Sequence, residues 1–110
     1  PYNKNTHHLM NSKIFKKMKK TSFLINTSRG KIVDEKQLVV ALKTKQILGA
    51  GMDVYELEPM KKNNPLLKLE NVVLAPHVGS STKETRQKMS DITARNLILG
   101  LEGKKLLYSV

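Results

Sequence analysis

Four residues of different chemistry stand just beyond short apolar runs in this 110-residue chain. Arg29 follows "SFLIN" in "TSRG". Asp53 and Glu58 follow "ILGAGM" in "DVYELEP". His77 follows "NVVLAP" in "HVGS". An imidazole titrates near neutral pH and can move a proton. A carboxylate beside it orients the ring and favours its charged form. A guanidinium grips a carboxylate through two hydrogen bonds. Together the set suits proton transfer to or from a hydroxyl or carbonyl next to a carboxylate. None of these side chains carries a hydride, so redox chemistry at such a site requires a cofactor.

Taken singly, each residue has a plainer reading. Arg29 is equally a surface cation near a turn, and Glu58 a loop acid ahead of Pro59. Asp53 can brace its loop, and a lone His77 is by default a satisfied structural histidine. The plainer readings lose ground jointly, because all four positions fall at the ends of apolar runs. His7 and His8 lie in the irregular start and are assigned no catalytic role. Their adjacency is not the spacing of a metal site on a helix, and no other Cys/His cluster exists, so no metal is expected.

The elements that must position these residues follow from pattern. The start, "PYNKNTHHLMNS", is turn-rich. "SKIFKKMKK" places Ile14, Phe15 and Met18 on one helical face, capped by Asn11 or Ser12. A strand over 22–26 leads into a turn that Gly30 permits. Asp34 opens a helix, "DEKQLVVALKTKQ", with Leu38, Ala41, Leu42 and Lys45 on the helical period. A second strand is read over 47–54, where two glycines allow close packing. After a loop, "PLLKL" makes one helical turn and 71–76 a third strand. Ser81 and Glu84 form a capping box that opens the longest helix, 82–100, with Met89, Ile92, Leu97 and Leu99 among its apolar positions. A loop and tail, "LEGKKLLYSV", close the chain. Apolar strands alternating with amphipathic helices predict an α/β fold, a partial doubly wound parallel sheet with both faces covered, plus a long C-terminal helix. In such sheets ligands bind outside the carboxyl ends of the strands, where the four residues fall.

Composition narrows the function classes. The chain is 39% hydrophobic with no Trp and no Cys, so it can bury a small core but has neither a disulfide framework nor a thiolate metal site. No apolar run approaches the roughly 18 residues of a membrane span. The chain starts at Pro1 and shows no signal peptide, so the expectation is processing or a beginning that lies upstream. The net charge is +11. Nucleic acid is one partner such a charge suggests, through Lys13, Lys16, Lys17, Lys19 and Lys20. The few aromatics and the spread of the lysines favour a solvated helix face instead. A basic surface also attracts small anions.

"INTSRG", "GAGMDVYELEP" and "LAPHVGSSTKETR" resemble three consecutive signatures of the D-isomer-specific 2-hydroxyacid dehydrogenases, and within them the glyoxylate/hydroxypyruvate reductase branch. The likeness runs over nearly the whole chain. The resemblance implies a reductase of small 2-oxo acids such as glyoxylate or hydroxypyruvate, using NADP or NAD, with NADP slightly favoured. Arg29 would bind the substrate carboxylate and polarise its carbonyl. His77 would protonate the carbonyl oxygen, and Glu58 would pair with His77 and hold it protonated. Asp53 would contact the nicotinamide side. Thr27, Ser28 and Arg29, together with His77, Gly79 and Ser80, would line the cofactor pocket. Residues 1–80 would be the second half of a Rossmann-type cofactor domain, and 81–110 a helix and tail returning toward the substrate domain. The G-x-G-x-x-G turn of such enzymes is absent: "LGAGMD" lacks the third glycine. The chain then resembles a C-terminal third, inactive in isolation, of a cytoplasmic homodimer that binds neither nucleic acid nor membrane. A non-enzymatic binding protein or inactive fragment on the same fold is the alternative.

Overall fold

The computed structural model describes residues 1–109, so the final residue of the tail, Val110, lies outside the described residues. The chain separates into two compact units, Pro1–Val78 and Gly79–Val110.

The first unit is built on three parallel strands, β1 (Phe23–Asn26), β2 (Gly49–Met52) and β3 (Val72–Leu74), adjacent in chain order. The sheet therefore runs as the apolar runs predict, although each strand is shorter than its run. Alternate residues of the strands face a core. Ala50 and Met52 meet Phe15, Leu38, Ala41, Leu42, Ile47 and Leu66, with Leu24, Val72 and Leu74 packed against them. The opposite face departs from the expectation that both sides are covered. Phe23, Ile25 and Val73 are 61%, 67% and 73% exposed. On that face the two glycines of β2 leave room for β1: a Cβ at Gly49 would crowd the Phe23 ring, and one at Gly51 would crowd Ile25.

Helix α1 (Ser12–Phe15) is capped by Asn11, whose side chain accepts the Lys13 N–H, and buries Phe15. It stops far short of the run "SKIFKKMKK". Lys13, Lys16, Lys17 and Lys20 recur at helical neighbour spacing, and like charges so placed oppose propagation. Helix α2 (Glu35–Lys43) has Asp34 as N-cap, accepting the Gln37 N–H, and buries Leu38, Ala41 and Leu42. Lys45 does not join that face. It lies beyond the helix, exposed, in the left-handed region at φ 53°. "PLLK" is a short 3-10 turn, Pro65–Lys68, with Asn64 as its cap and Leu66 buried.

Gly30 is required, but not for a turn with positive φ. Its Cα passes so close to β2's exit that a Cβ would overlap the backbone carbonyl of Tyr55 and the amide of Glu56. Gly30→Ala is expected to destabilise the fold by about 3 kcal/mol or more, because backbone rather than a flexible side chain must yield. Urea unfolding checks this, and a loss under about 1 kcal/mol would show that the two loops can part.

The second unit is helix α3 (Lys83–Leu101) and the residues that follow. The N-cap is Thr82, whose hydroxyl accepts the Thr85 N–H at 3.2 Å, rather than Ser81. The Ser81 hydroxyl accepts from the Arg86 guanidinium instead, and Glu84 sits in the first turn. The tail folds back on the helix: the Asn96 amide donates to Tyr108 O at 2.7 Å and accepts the Leu107 N–H at 2.9 Å.

Candidate active site

Because the strands are parallel, their three carboxyl ends share one edge of the sheet. Each exit there is tied down by a polar side chain. At the end of β1 the buried Asn26 organises "TSRG". Its carbonyl oxygen accepts the Ser28 N–H at 3.1 Å and the Ser28 hydroxyl at 2.9 Å, while its amide donates to Arg29 O at 3.1 Å. Arg29 is presented on the surface, its guanidinium donating to Ser28 O. Asn26 escaped the sequence reading. An asparagine closing an apolar run, which has poor strand propensity, was the available signal.

At the end of β2, Asp53 is buried and accepts the Val78 N–H at 2.7 Å. It thereby fixes the segment that carries His77. Tyr55, also buried, places its hydroxyl 2.8 Å from Ala75 O and 3.0 Å from Met52 O, joining the exits of β2 and β3. Burial raises the Tyr55 phenol above its ordinary value, and the acids Asp53, Glu35 and Glu58 add to this, so it remains a donor. Glu35 and Glu56 exchange bonds: Glu56 accepts the Glu35 N–H and Glu35 accepts the Glu56 N–H. This clasp holds the loop that carries Glu58 against the start of α2.

Glu58 and His77 are brought together. Glu58 Oε2 lies 2.8 Å from His77 Nδ1, and Glu58 Oε1 accepts the Tyr55 N–H at 2.9 Å. Both carboxylate oxygens are thus engaged and the ring is oriented through Nδ1. Nε2 of His77 has no hydrogen-bond partner among the described residues, and the side chain is half-exposed. His77 takes up the left-handed region itself, at φ 57°. A non-glycine residue there is disfavoured by about 1–2 kcal/mol. The conformation persists between Pro76 and the Val78 amide held by Asp53.

Ser28, Arg29, Glu58 and His77 line one cleft of about 850 Å³, with Gly30, Lys31, Tyr55, Glu56 and the first two residues completing the wall. An adjoining apolar hollow of about 320 Å³ runs from Tyr55 and Glu58 past Met60 to His77. Asp53 does not line the cleft, and Thr27 is exposed beside it. Gly79 and Ser80 belong to the second unit.

Glu58 is held below the ordinary carboxylate value, first by the Tyr55 N–H and then by His77, with Arg29 contributing by charge. A lowered folded-state value stabilises above the unfolded value near 4.5, and that stabilisation is lost as pH falls through the folded value. The stability difference between the native chain and Glu58→Gln should therefore shrink as the pH falls from about 6 to about 3. Urea midpoints at several pH values test it, and a difference constant over that range would show that the carboxylate charge is not what Tyr55 and His77 bind.

His8 was given no role by sequence, and it lies in a second cluster. Its Nε2 is 3.0 Å from Glu56 Oε1, and its Nδ1 is 3.9 Å from Asp34 Oδ2. His8, Asp34 and Glu56 bring possible ligand atoms within 4.8 Å of one another. Both carboxylates already cap backbone amides, of Gln37 and Glu35, and the two ring nitrogens of His8 address different acids. The cluster reads as a clasp between the first residues and the loop of Glu56.

A family model for the D-isomer specific 2-hydroxyacid dehydrogenase, NAD binding domain, matches residues 1–79. The chain belongs to this family. Among its relatives, the glyoxylate reductase of Thermofilum pendens is 54% identical over 104 residues, covering 94% of this chain and 31% of that protein. The glyoxylate/hydroxypyruvate reductase B of Cronobacter sakazakii is 47% identical over 103 residues, covering 94% and 32%. The NADPH-dependent glyoxylate/hydroxypyruvate reductase of Sinorhizobium meliloti, solved with NADP and malonate, superposes with a TM-score of 0.91 at 38% identity, over 100% of this chain and 34% of that one. The chain thus spans about a third of the length of the dehydrogenases it matches. As a member of the family it carries the Rossmann-type parallel sheet that the strand pattern predicts. No helix among the described residues is long and apolar enough to cross a membrane.

Proposed function

We propose that this chain is the catalytic-residue-bearing part of a 2-hydroxyacid dehydrogenase that reduces a small 2-oxo acid, glyoxylate or hydroxypyruvate, with NADPH or NADH. The observation that carries the proposal is the 2.8 Å pair of His77 Nδ1 and Glu58 Oε2 in the cleft that Arg29 also lines. The names of the relatives support the substrate class, and the NADP bound by the Sinorhizobium enzyme supports NADP over NAD.

The residues of the cleft fit the nicotinamide end of such a cofactor in chemistry. A hydroxyl at Ser28, a guanidinium at Arg29 and an imidazole at His77 rim an open cleft at the carboxyl ends of parallel strands, the place where doubly wound folds bind nucleotides. Thr27, Ser28 and Arg29 would hold it together with His77, with Asp53 bracing the His77 segment. When bound, the cofactor supplies the hydride.

The protein's part is binding and proton transfer. Arg29 grips the substrate carboxylate with two parallel N–H donors and draws electron density from the adjacent carbonyl. His77 Nε2–H donates its proton to the carbonyl oxygen as the carbon is reduced, and takes it back in the reverse reaction. Glu58 accepts from Nδ1, so that the ring presents Nε2 to the cleft throughout. The complete enzyme would act as a cytoplasmic homodimer without a nucleic-acid role. The lack of cysteine suits a reducing compartment.

The test is a graft. This chain replaces the matching third of the Thermofilum pendens glyoxylate reductase, and NADPH consumption is followed with glyoxylate and with hydroxypyruvate. The graft should turn over either acid at a rate within about tenfold of the parent and bind NADPH. A graft that binds NADPH but reduces neither acid would instead favour the non-enzymatic reading.

A further inference from the structure

We propose a second, anion-binding site at the opposite edge of the sheet, built from Lys20, Lys43, Lys45 and Lys68 and suited to a small ligand with several clustered phosphate groups. The strands being parallel, their amino ends share an edge just as their carboxyl ends do. Lys20 precedes β1, Lys43 and Lys45 precede β2, and Lys68 precedes β3. The four line one cleft of about 410 Å³, floored by Leu42, Leu48 and Leu69, with Glu70 as its single acid.

The site is held in shape. The Asn71 amide donates to Leu42 O and Leu48 O at 3.2 Å each, pinning the α2–β2 connection to the start of β3. Lys45 is fixed at φ 53° in that connection.

The lysines are not spent on the helix end or on acids. Three carbonyls of the last turn of α2 are bonded within the chain: Val40 O accepts from Thr44, Ala41 O from Gln46, and Leu42 O from the Lys45 N–H and Asn71. No ion pair among the described residues engages any of the four lysines. Four like charges lining one concavity repel one another, and a polyanion that enters it relieves that repulsion. Lysine is a point charge on a flexible stem, which suits diffuse phosphate charge better than a planar carboxylate. Exposed single pairs are weak and screened by salt, so the ligand must present several charges at once.

The experiment titrates the full chain with sodium tripolyphosphate by calorimetry at low salt, with orthophosphate and ATP as comparisons. Tripolyphosphate should bind about tenfold or more tightly than orthophosphate, and Lys20→Gln/Lys43→Gln/Lys45→Gln/Lys68→Gln should weaken it about tenfold or more. The single reversal Lys68→Glu should weaken it in the same direction, which keeps the test independent of how the quadruple variant folds. ATP binding that falls in step with tripolyphosphate would identify a nucleotide as the ligand, and weaker ATP binding would identify free polyphosphate. Lys13→Gln/Lys16→Gln/Lys17→Gln, on the exposed run beside α1, should change affinity by no more than about twofold. Equal binding of the two phosphates, no loss in the cleft variants, or an equal loss in the α1 variant would each overturn the proposal.

Discussion

Replacing His77 with asparagine in the grafted dehydrogenase is expected to slow glyoxylate reduction by about 10³-fold, the middle of the range for removing a positioned general acid. Asparagine is the informative choice because position 77 sits at φ 57°. Asparagine enters the left-handed region more readily than most residues, so the backbone and the Val78–Asp53 hydrogen bond should survive. Thermal stability should then change little, the eased backbone at position 77 offsetting the lost Glu58 contact, and NADPH affinity should fall a few-fold at most, far less than the rate. The combination matters. A rate loss with an intact fold and intact cofactor binding assigns the proton to His77. A rate within about tenfold of the graft would remove His77 from the chemistry.

The second large effect is expected at Arg29. Arg29→Lys retains the charge but loses the planar fork, and should lower kcat/KM about 10²-fold or more, as the loss of a charge-assisted hydrogen bond to a substrate carboxylate implies. Arg29 is surface-exposed and among the described residues its guanidinium bonds Ser28 O, a neighbour in the chain, so the substitution should leave the urea midpoint unchanged. Measured with an oxo compound that lacks the carboxylate, the native and variant grafts should differ little. An equal loss on both substrates would mean that Arg29 shapes the loop rather than gripping the acid.

The reach of the sequence can be judged from individual residues. The sheet was legible because its strands are apolar runs with chemistry at their ends, and parallel order makes those ends coincide. That logic places Arg29, Glu58 and His77 at one edge of the sheet. The contacts themselves were not legible. The Glu58–His77 pair depends on a loop held by the exchange between Glu35 and Glu56, whose partners lie 21 residues apart and carry like charge. No periodicity announces such a clasp. Gly30 was legible as a required glycine but for the wrong reason, since a pattern shows the residue type and not the neighbour that a Cβ would strike. Asp53 was legible as a possible brace for its loop, but not the partner it braces, the Val78 amide 25 residues on. The length of α1 failed because helical periodicity counts apolar positions and ignores repulsion among lysines. Thr82 displaced Ser81 as a cap because adjacent hydroxyls are equivalent to a motif and differ only in which backbone amide they reach.

In the proposed mechanism His77 gives a proton to the carbonyl oxygen in one direction and takes it back in the other. The most direct measurement is the pH dependence of kcat/KM in both directions for the graft and for His77→Asn. Reduction needs the imidazolium and oxidation the neutral ring, so reduction should fall as pH rises and oxidation should fall as pH drops, the two limbs being mirror images. Both limbs should vanish in the asparagine variant. Limbs that persist there would assign the proton to another group and contradict the account.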